Sequence, residues 1–353
     1  MLRIKFIFFN FLIFSGSIVS GQNTNCSEVL IKAQDTYKEG RINEIADMLQ
    51  PCLETGLSKQ EKIEAYRLLS LTYLYFNERE QAQNAMTNLL KNDPEYKLRQ
   101  SDPTEFVNLY NSFRTTPIFL IGAKLGINGL DIDVKKNFSL DNSAAKRGKY
   151  ESGIGIQGGL LVQFPLAKKI SLLTELLYSI NSYTYTDHLF GYASLEFPEK
   201  QVYLGLPVLL NYNFGKSQKW IPYLNLGGSV SYLLSAKAAP IRVDETDGNN
   251  QREIKEGEIA IATLRQKINF NLIAGAGLRV KDVLGRGYLF LDFRYSHGLN
   301  NIVNEKDRYS NEDLVYKYLY VDNNFKINSF QYSVGYSYPL YKPKLKKVKK
   351  EKE

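Results

Sequence analysis

The sequence predicts two unlike parts: an α-helical domain followed by an eight-stranded antiparallel β-barrel that crosses a membrane. Three observations predict it. Apolar residues recur with a helical period from residue 26 to residue 113 and with a period of two from Pro117 onward. Eight alternating stretches follow Pro117, each about ten residues long, which is the length a tilted strand needs to cross a bilayer. The links after the second, fourth and sixth stretches are short, and those after the odd-numbered ones are long and polar. Short turns at one end and long loops at the other, with an even strand count, is the pattern of an outer-membrane barrel. A soluble lipocalin-like barrel would also alternate, but with a polar outer face.

The chain opens on MLRIKFIFFNFLIFSGSIVSGQ. Arg3 and Lys5 supply a positive start, Phe6 to Phe14 an apolar stretch interrupted by Asn10, and Val19, Ser20 and Gly21 a small-residue cleavage site. Residues 1–21 are therefore expected to be a secretory signal peptide, too short to span a bilayer as a helix. Asn23, Thr24 and Asn25 precede Cys26 where a lipidation site would need small residues. The chain has two cysteines, Cys26 and Cys52. In an oxidising compartment they pair as a disulfide or remain two buried thiols, and spacing alone leaves both open.

Residues 22–115 form the expected helical domain. Val29, Leu30, Ala33 and Tyr37 make one stripe that Gly40 ends, and Ile42, Ile45, Ala46, Leu49 and Leu53 make the next, ended by Gly56. Two longer segments follow, KQEKIEAYRLLSLTYLYF and EREQAQNAMTNLLKNDPEY. With Ile63 as first position, Tyr66, Leu69, Ser70, Tyr73, Ala82, Met86, Leu89 and Pro94 fall at signature places, so this pair resembles a tetratricopeptide repeat. Ser70 and Ala82 are small where two helices approach, and Pro94 ends the second helix. Tyr66, Leu69, Tyr73, Ala82 and Pro94 are the expected repeat core. The preceding pair matches more loosely, through Ala33, Gly40 and Ala46. Repeat domains of this kind present a groove to a protein partner, which here implies docking rather than a plain spacer. A last helix carries Phe106, Leu109, Tyr110 and Phe113 on one stripe, after Pro103 in its first turn.

Residues 116–341 form the expected barrel. Phe119, Ile121, Ala123, Leu125 and Ile127 lie on one face of the first stretch and Gly122, Lys124, Gly126 and Asn128 on the other. The same division sets Leu204, Leu206, Val208, Leu210 and Tyr212 against Gly205, Asn211 and Asn213, and Phe330, Tyr332, Val334, Tyr336 and Tyr338 against Gln331, Ser333, Gly335 and Ser337. Aromatic residues crowd the strand ends, as membrane girdles do. The register turns Lys124, Glu175, Arg279, Asp292 and Arg294 inward. Charges at membrane depth are paired or wetted, and a barrel of eight strands has room for side chains or one small ligand. These five are expected to pair as a polar lumen cluster.

The glycine-rich IGAKLGIN, the LLTELLYS strand and VYLGLPVLLNYNF resemble the small outer-membrane β-barrels of Bacteroidetes called PorT-like, over Thr116 to Tyr341. The founding member of that family belongs to the type IX secretion system, so the resemblance implies a role in secretion or envelope assembly. The helical domain departs from a bare barrel of that family and favours docking.

The net charge is +8, but seven lysines fall in residues 342–353, so much of the excess is a solvated tail. No nucleic-acid-binding module accompanies it. His188 and His297 are the two histidines, and Ser296 beside His297 points to the opposite strand face, which argues against a serine–histidine pair. The histidines and cysteines lack metal spacing, DETDGNN lacks the ordered calcium-loop pattern, and no glycine-rich phosphate loop joins a strand to a helix. The expectation is a non-enzymatic protein without cofactor, in contact with outer-membrane lipid. Its helices and tail would lie in the periplasm and dock a periplasmic or outer-membrane protein. A narrow channel or solute-binding barrel, and an adhesin using the long loops, are the alternatives.

Overall fold

The computed structural model describes residues 25–141, 148–215, 217, 219–246 and 250–346. The expected signal peptide, 1–21, and residues 347–353 of the tail lie outside the described residues. The chain divides into two compact units, one of residues 1–115 with 342–353 and one of 116–341.

The first unit holds five helices: α1 (Cys26–Lys38), α2 (Ile45–Glu54), α3 (Lys59–Tyr75), α4 (Arg79–Asn92) and α5 (Thr104–Ser112). A disulfide joins Cys26 to Cys52 and staples α1 to α2, resolving the alternative that the sequence left open. Gly56 lies beside it in the left-handed region, and a Cβ there would come within 2.9 Å of the Cys26 sulfur. Ser58 caps α3: its hydroxyl accepts from the Glu61 N–H at 3.3 Å, and the Glu61 carboxylate accepts from the Ser58 N–H at 2.8 Å. Leu30, Ala33, Leu49 and Leu69 pack one apolar layer around α1 to α3, and Ile63, Met86, Leu89 and Phe106 pack a second around α3 to α5. Leu69, Ser70 and Ala82 are buried; Tyr66, Tyr73 and Pro94 are half-buried.

The start of the tail is solvent-exposed and is also held by backbone pairing. Leu345 forms a β-bridge with Phe113, the Arg114 N–H donates to the Lys344 carbonyl at 2.8 Å, and the Lys346 N–H donates to the Ser112 carbonyl at 2.7 Å. Backbone pairing, which ignores side-chain charge, ties these residues down.

The second unit is built on β1 (Phe119–Lys136), β2 (Lys149–Ser152), β3 (Ile154–Pro165), β4 (Ile170–Leu189), β5 (Ala193–Asn213), β6 (Trp220–Ala238), β7 (Ile241–Thr246), β8 (Asn250–Lys255), β9 (Ile259–Ala260), β10 (Ile268–Lys281), β11 (Tyr288–Gly298) and β12 (Asn324–Leu340). Eight of them close a ring of antiparallel neighbours in the order β1, β12, β11, β10, β6, β5, β4, β3 and back to β1. The closing pair runs from Phe119 opposite Leu340 to Val134 opposite Phe325. A closed ring leaves no edge strand of its own, as a membrane-spanning sheet needs.

Two expected long loops are not loops. The link expected between the third and fourth stretches is ladder, with Ser182 opposite Lys200 up to Leu189 opposite Ala193, and turns at Phe190, Gly191 and Tyr192. The segment 236–265 carries the β7–β8 hairpin, which extends the sheet from β5. The first follows from alternation that continues past the membrane-length stretch: Tyr183, Tyr185, Leu189, Ala193, Leu195 and Phe197 are all buried. The 21 residues of β5 reach about 70 Å along the strand, or about 50 Å of height at a tilt of roughly 45°, twice the roughly 25 Å of a lipid-facing band.

The ring wears its apolar residues outside. Leu125, Leu160, Leu206, Leu226, Leu272 and Leu291 are each more than half exposed. Exposed Phe164, Tyr212, Trp220 and Tyr338, with half-buried Phe119, rim this band toward the short turns, and exposed Tyr178, Tyr232, Phe293, Phe330 and Tyr332 toward the long loops. In β5, exposed Leu204 gives way to exposed Lys200 and Glu196 where the band stops. Such a belt stands in water only at a large cost, and lipid removes that cost.

Candidate functional site: the interior of the strand ring

Period-two alternation sends every second residue of the ring inward, so the interior is written in the register. Lys124 on β1 faces inward between Gly335 of β12 and Gly159 of β3. A Cβ on Gly335 would come within 2.9 Å of the Lys124 Cβ and closer still to the Phe290 ring, so glycine there makes room for both. Glu175 comes from β4, and Asp292 and Arg294 from β11.

These four side chains meet. The Lys124 ammonium lies 2.6 Å from Glu175. The Arg294 guanidinium donates to both Glu175 oxygens, from Nη2 at 2.7 Å and Nη1 at 2.9 Å. It also lies 2.6 Å from Asp292, which accepts from the Asn225 amide at 3.1 Å. All four are buried. Two cations and two anions cancel, which removes most of the cost of holding charge away from water. Toward the short turns Leu161, Leu173, Leu209 and Phe290 pack an apolar layer, which Ile273 meets from the long-loop side.

Arg279 does not join the quartet. It faces inward, but its guanidinium stacks 4.4 Å from the Tyr223 ring centre and donates to Asn213 at 3.2 Å. The alternation fixed its face; its height along the axis depends on strand stagger, which alternation does not report.

A second ion cluster is absent from the sequence reading. Arg265, fully buried, donates to Glu199 at 2.8 and 2.5 Å and lies 2.8 Å from Asp322. Tyr320 donates to Asp322 at 2.7 Å, and Gln201 donates to Glu199 at 2.5 Å while accepting from Tyr203 at 2.7 Å. Around it the loop residues Leu314, Tyr318 and Tyr320 pack against Tyr185, Phe197 and Tyr203, with the Phe197 and Tyr320 rings stacked at 3.8 Å. Burial works against the charge on Arg265, but Asp322 and Glu199 outweigh it and hold the guanidinium well above its ordinary pKa. The signal that could have found Glu199 was the unbroken alternation through Leu195, Phe197 and Gln201.

Ser296 faces inward and is buried, while His297 occupies the other face of β11. His188 lies 3.2 Å from the Ser194 hydroxyl on the exposed β4–β5 hairpin, where Asp187 accepts instead from Tyr185 and the His188 backbone. Among the described residues no group of histidine, cysteine or carboxylate side chains could hold a metal ion. Within DETDGNN, Asp244 is paired with Arg242 at 2.6 Å, and residues 247–249 lie outside the described residues. No described helix is long and apolar enough to cross a membrane.

Comparison with solved structures finds similarity to Neisserial surface protein A, at 13% identity over 63% of this chain and 97% of that one with a TM-score of 0.29. The outer membrane protein OprG from Pseudomonas aeruginosa is similar at 12% identity over 64% of this chain and 98% of that one, TM-score 0.34. Ail, the attachment invasion locus protein of Yersinia pestis, is similar at 11% identity over 62% and 98%, TM-score 0.24. No curated protein matches the chain. The family model for the outer membrane protein beta-barrel domain matches residues 100–304, more than half of the sequence. With its closed ring, outward apolar belt and inward ion pairs, the chain belongs to the outer membrane β-barrel domain family and is a protein of the outer membrane.

Proposed function

We propose that the ring is an eight-stranded transmembrane anchor for a periplasmic, tetratricopeptide-like helical domain that docks a protein of envelope assembly or secretion. The filled ring carries this reading. Ion quartet and apolar layer occupy the cross-section that a conduit would need open, which leaves holding a position in the membrane as the ring's work. Short turns of outer-membrane barrels face the periplasm. β1 begins and β12 ends on that side, where Phe119 pairs with Leu340, so the flanking segments leave the ring toward the periplasm. The helical unit supports docking through its paired helices and through Tyr75 and Phe76, which stand exposed at the α3–α4 turn with their rings 5.3 Å apart. The proposed role is a non-enzymatic one: at the His188–Ser194 contact Asp187 accepts from Tyr185 and the His188 backbone N–H instead of orienting the ring. The PorT-like resemblance supplies the secretion class of partner.

The test is crosslinking and capture from intact outer membranes, comparing the full chain with a variant lacking residues 26–113. A partner held only when the helices are present supports docking. The same partners with and without them overturn it.

A further inference from the structure

Directly on the long-loop side of the ion quartet lies a chamber of about 70 Å³, lined by residues from all eight ring strands. Its chemistry differs from every other layer of the interior. Not one lining residue is charged, although ion clusters lie on both sides of it. Amides and hydroxyls dominate, among them Asn128, Gln157, Asn181, Ser231, Asn271 and Gln331. Two of the amides are engaged on one side only. Gln157 donates to Ser333 at 2.9 Å and Asn128 donates to the Ile180 carbonyl at 3.4 Å, yet the Gln157 Oε1 and Asn128 Oδ1 atoms have no partner among the described residues. Both residues are more than nine-tenths buried.

An unpartnered buried carbonyl oxygen costs about 1–3 kcal/mol, so two of them facing one cavity call for a donor inside it. A cation would meet no carboxylate in this layer, and an anion no base. Leu177, Ile273 and Ile327 also line the chamber and suit C–H surface. At roughly 10–15 Å³ for each water, the space matches a handful of waters or one solute of the same bulk. We infer that the chamber is a binding site for a small neutral polyol, whose hydroxyls donate to Asn128 and Gln157 and whose carbon skeleton lies on the apolar lining. Hydroxyls satisfy both requirements at once, since each donates and accepts. This site stands independently of the docking role.

The test is titration of the full chain in lipid nanodiscs with glycerol, read by the side-chain amide resonances of Asn128 and Gln157. Saturable shifts are expected with glycerol and none with glycerol 3-phosphate, whose charge the chamber leaves unpaired. Gln157→Leu, which removes one acceptor, is expected to weaken glycerol about tenfold, the equivalent of one hydrogen bond. Should the leucine variant fail to insert, Asn128→Ala removes the other acceptor and gives the same reading. Shifts that rise linearly without saturation, or that both variants leave unchanged, show a chamber holding water alone and overturn the inference. Equal binding of the phosphate ester also overturns it.

Discussion

Arg294 grips Glu175 with two parallel N–H···O bonds across the ring, from β11 to β4, four strands apart by either path around it. A bidentate arginine–carboxylate pair is among the strongest and most directional contacts available to side chains. Placed across an interior, it does what neither residue does on a surface: it ties opposite walls and fills the gap between them. Glu175 is the centre of the arrangement, because Lys124 reaches the same carboxylate.

Neutralising that centre should therefore cost more than an ordinary core change. Glu175→Gln leaves Lys124 and Arg294 facing Asp292 alone. The expected loss is about 3–5 kcal/mol, the range for breaking a buried pair by removing one partner. Urea unfolding from lipid vesicles measures it. A loss below about 1 kcal/mol, the range of exposed pairs, would mean that the quartet is hydrated.

The outer belt makes a separate prediction. Leu226 is 66% exposed on β6, between Trp220 and Tyr232. Leu226→Arg should destabilise the inserted protein by about 2–4 kcal/mol, as arginine does near the midplane of a lipid-facing strand. Folding yield into vesicles checks this, with Lys200→Arg, outside the belt, as the unaffected control.

In the helical unit, the disulfide closes a sequence separation of 26 residues between Cys26 and Cys52. Replacing both cysteines with alanine is expected to lower that unit's stability by about 3 kcal/mol, mainly by freeing the unfolded chain. Helical ellipticity followed through a urea titration, with and without reductant, measures it. Reductant should shift the wild type and leave the double variant unmoved.

The cap of α3 links stability to pH. Hydrogen bonds from Ser27 and Ser58 hold the Glu61 carboxyl below the usual carboxylate range. A lowered folded value stabilises the folded state above the unfolded pKa of about 4.3 and is lost as pH falls through the folded value. The helical unit of the wild type should thus lose more stability between pH 5 and the folded value than Glu61→Gln does. Ser58→Ala should cost about 1 kcal/mol at neutral pH. Helix melting followed across that pH range checks both.

Much of this was legible in the sequence because period-two alternation reports a strand's face directly. The eight ring strands, the outward belt through Leu206 or Tyr332, and the inward set of Lys124, Glu175, Asp292 and Arg294 all follow from it. What alternation does not report is height. Arg279 shares the inward face but stacks on Tyr223, because stagger between strands places it away from the quartet. Glu199 escaped because it lies before the membrane-length stretch that begins at Val202, in a segment whose Pro198 makes it read as loop although the alternation continues through it. Arg265 follows a single helical turn, Ala262–Leu264, that has no strand period at all. The pairing of Cys26 with Cys52 needed the angle between α1 and α2, a tertiary fact that spacing does not contain.

The most direct test of the central claim, that the ring is a filled anchor and not a conduit, is single-channel recording of the purified full chain in planar bilayers. A filled ring predicts no stepwise conductance for the wild type. Regular, reproducible conductance steps from the unmodified chain would contradict the account and return the interior to the role of a pore.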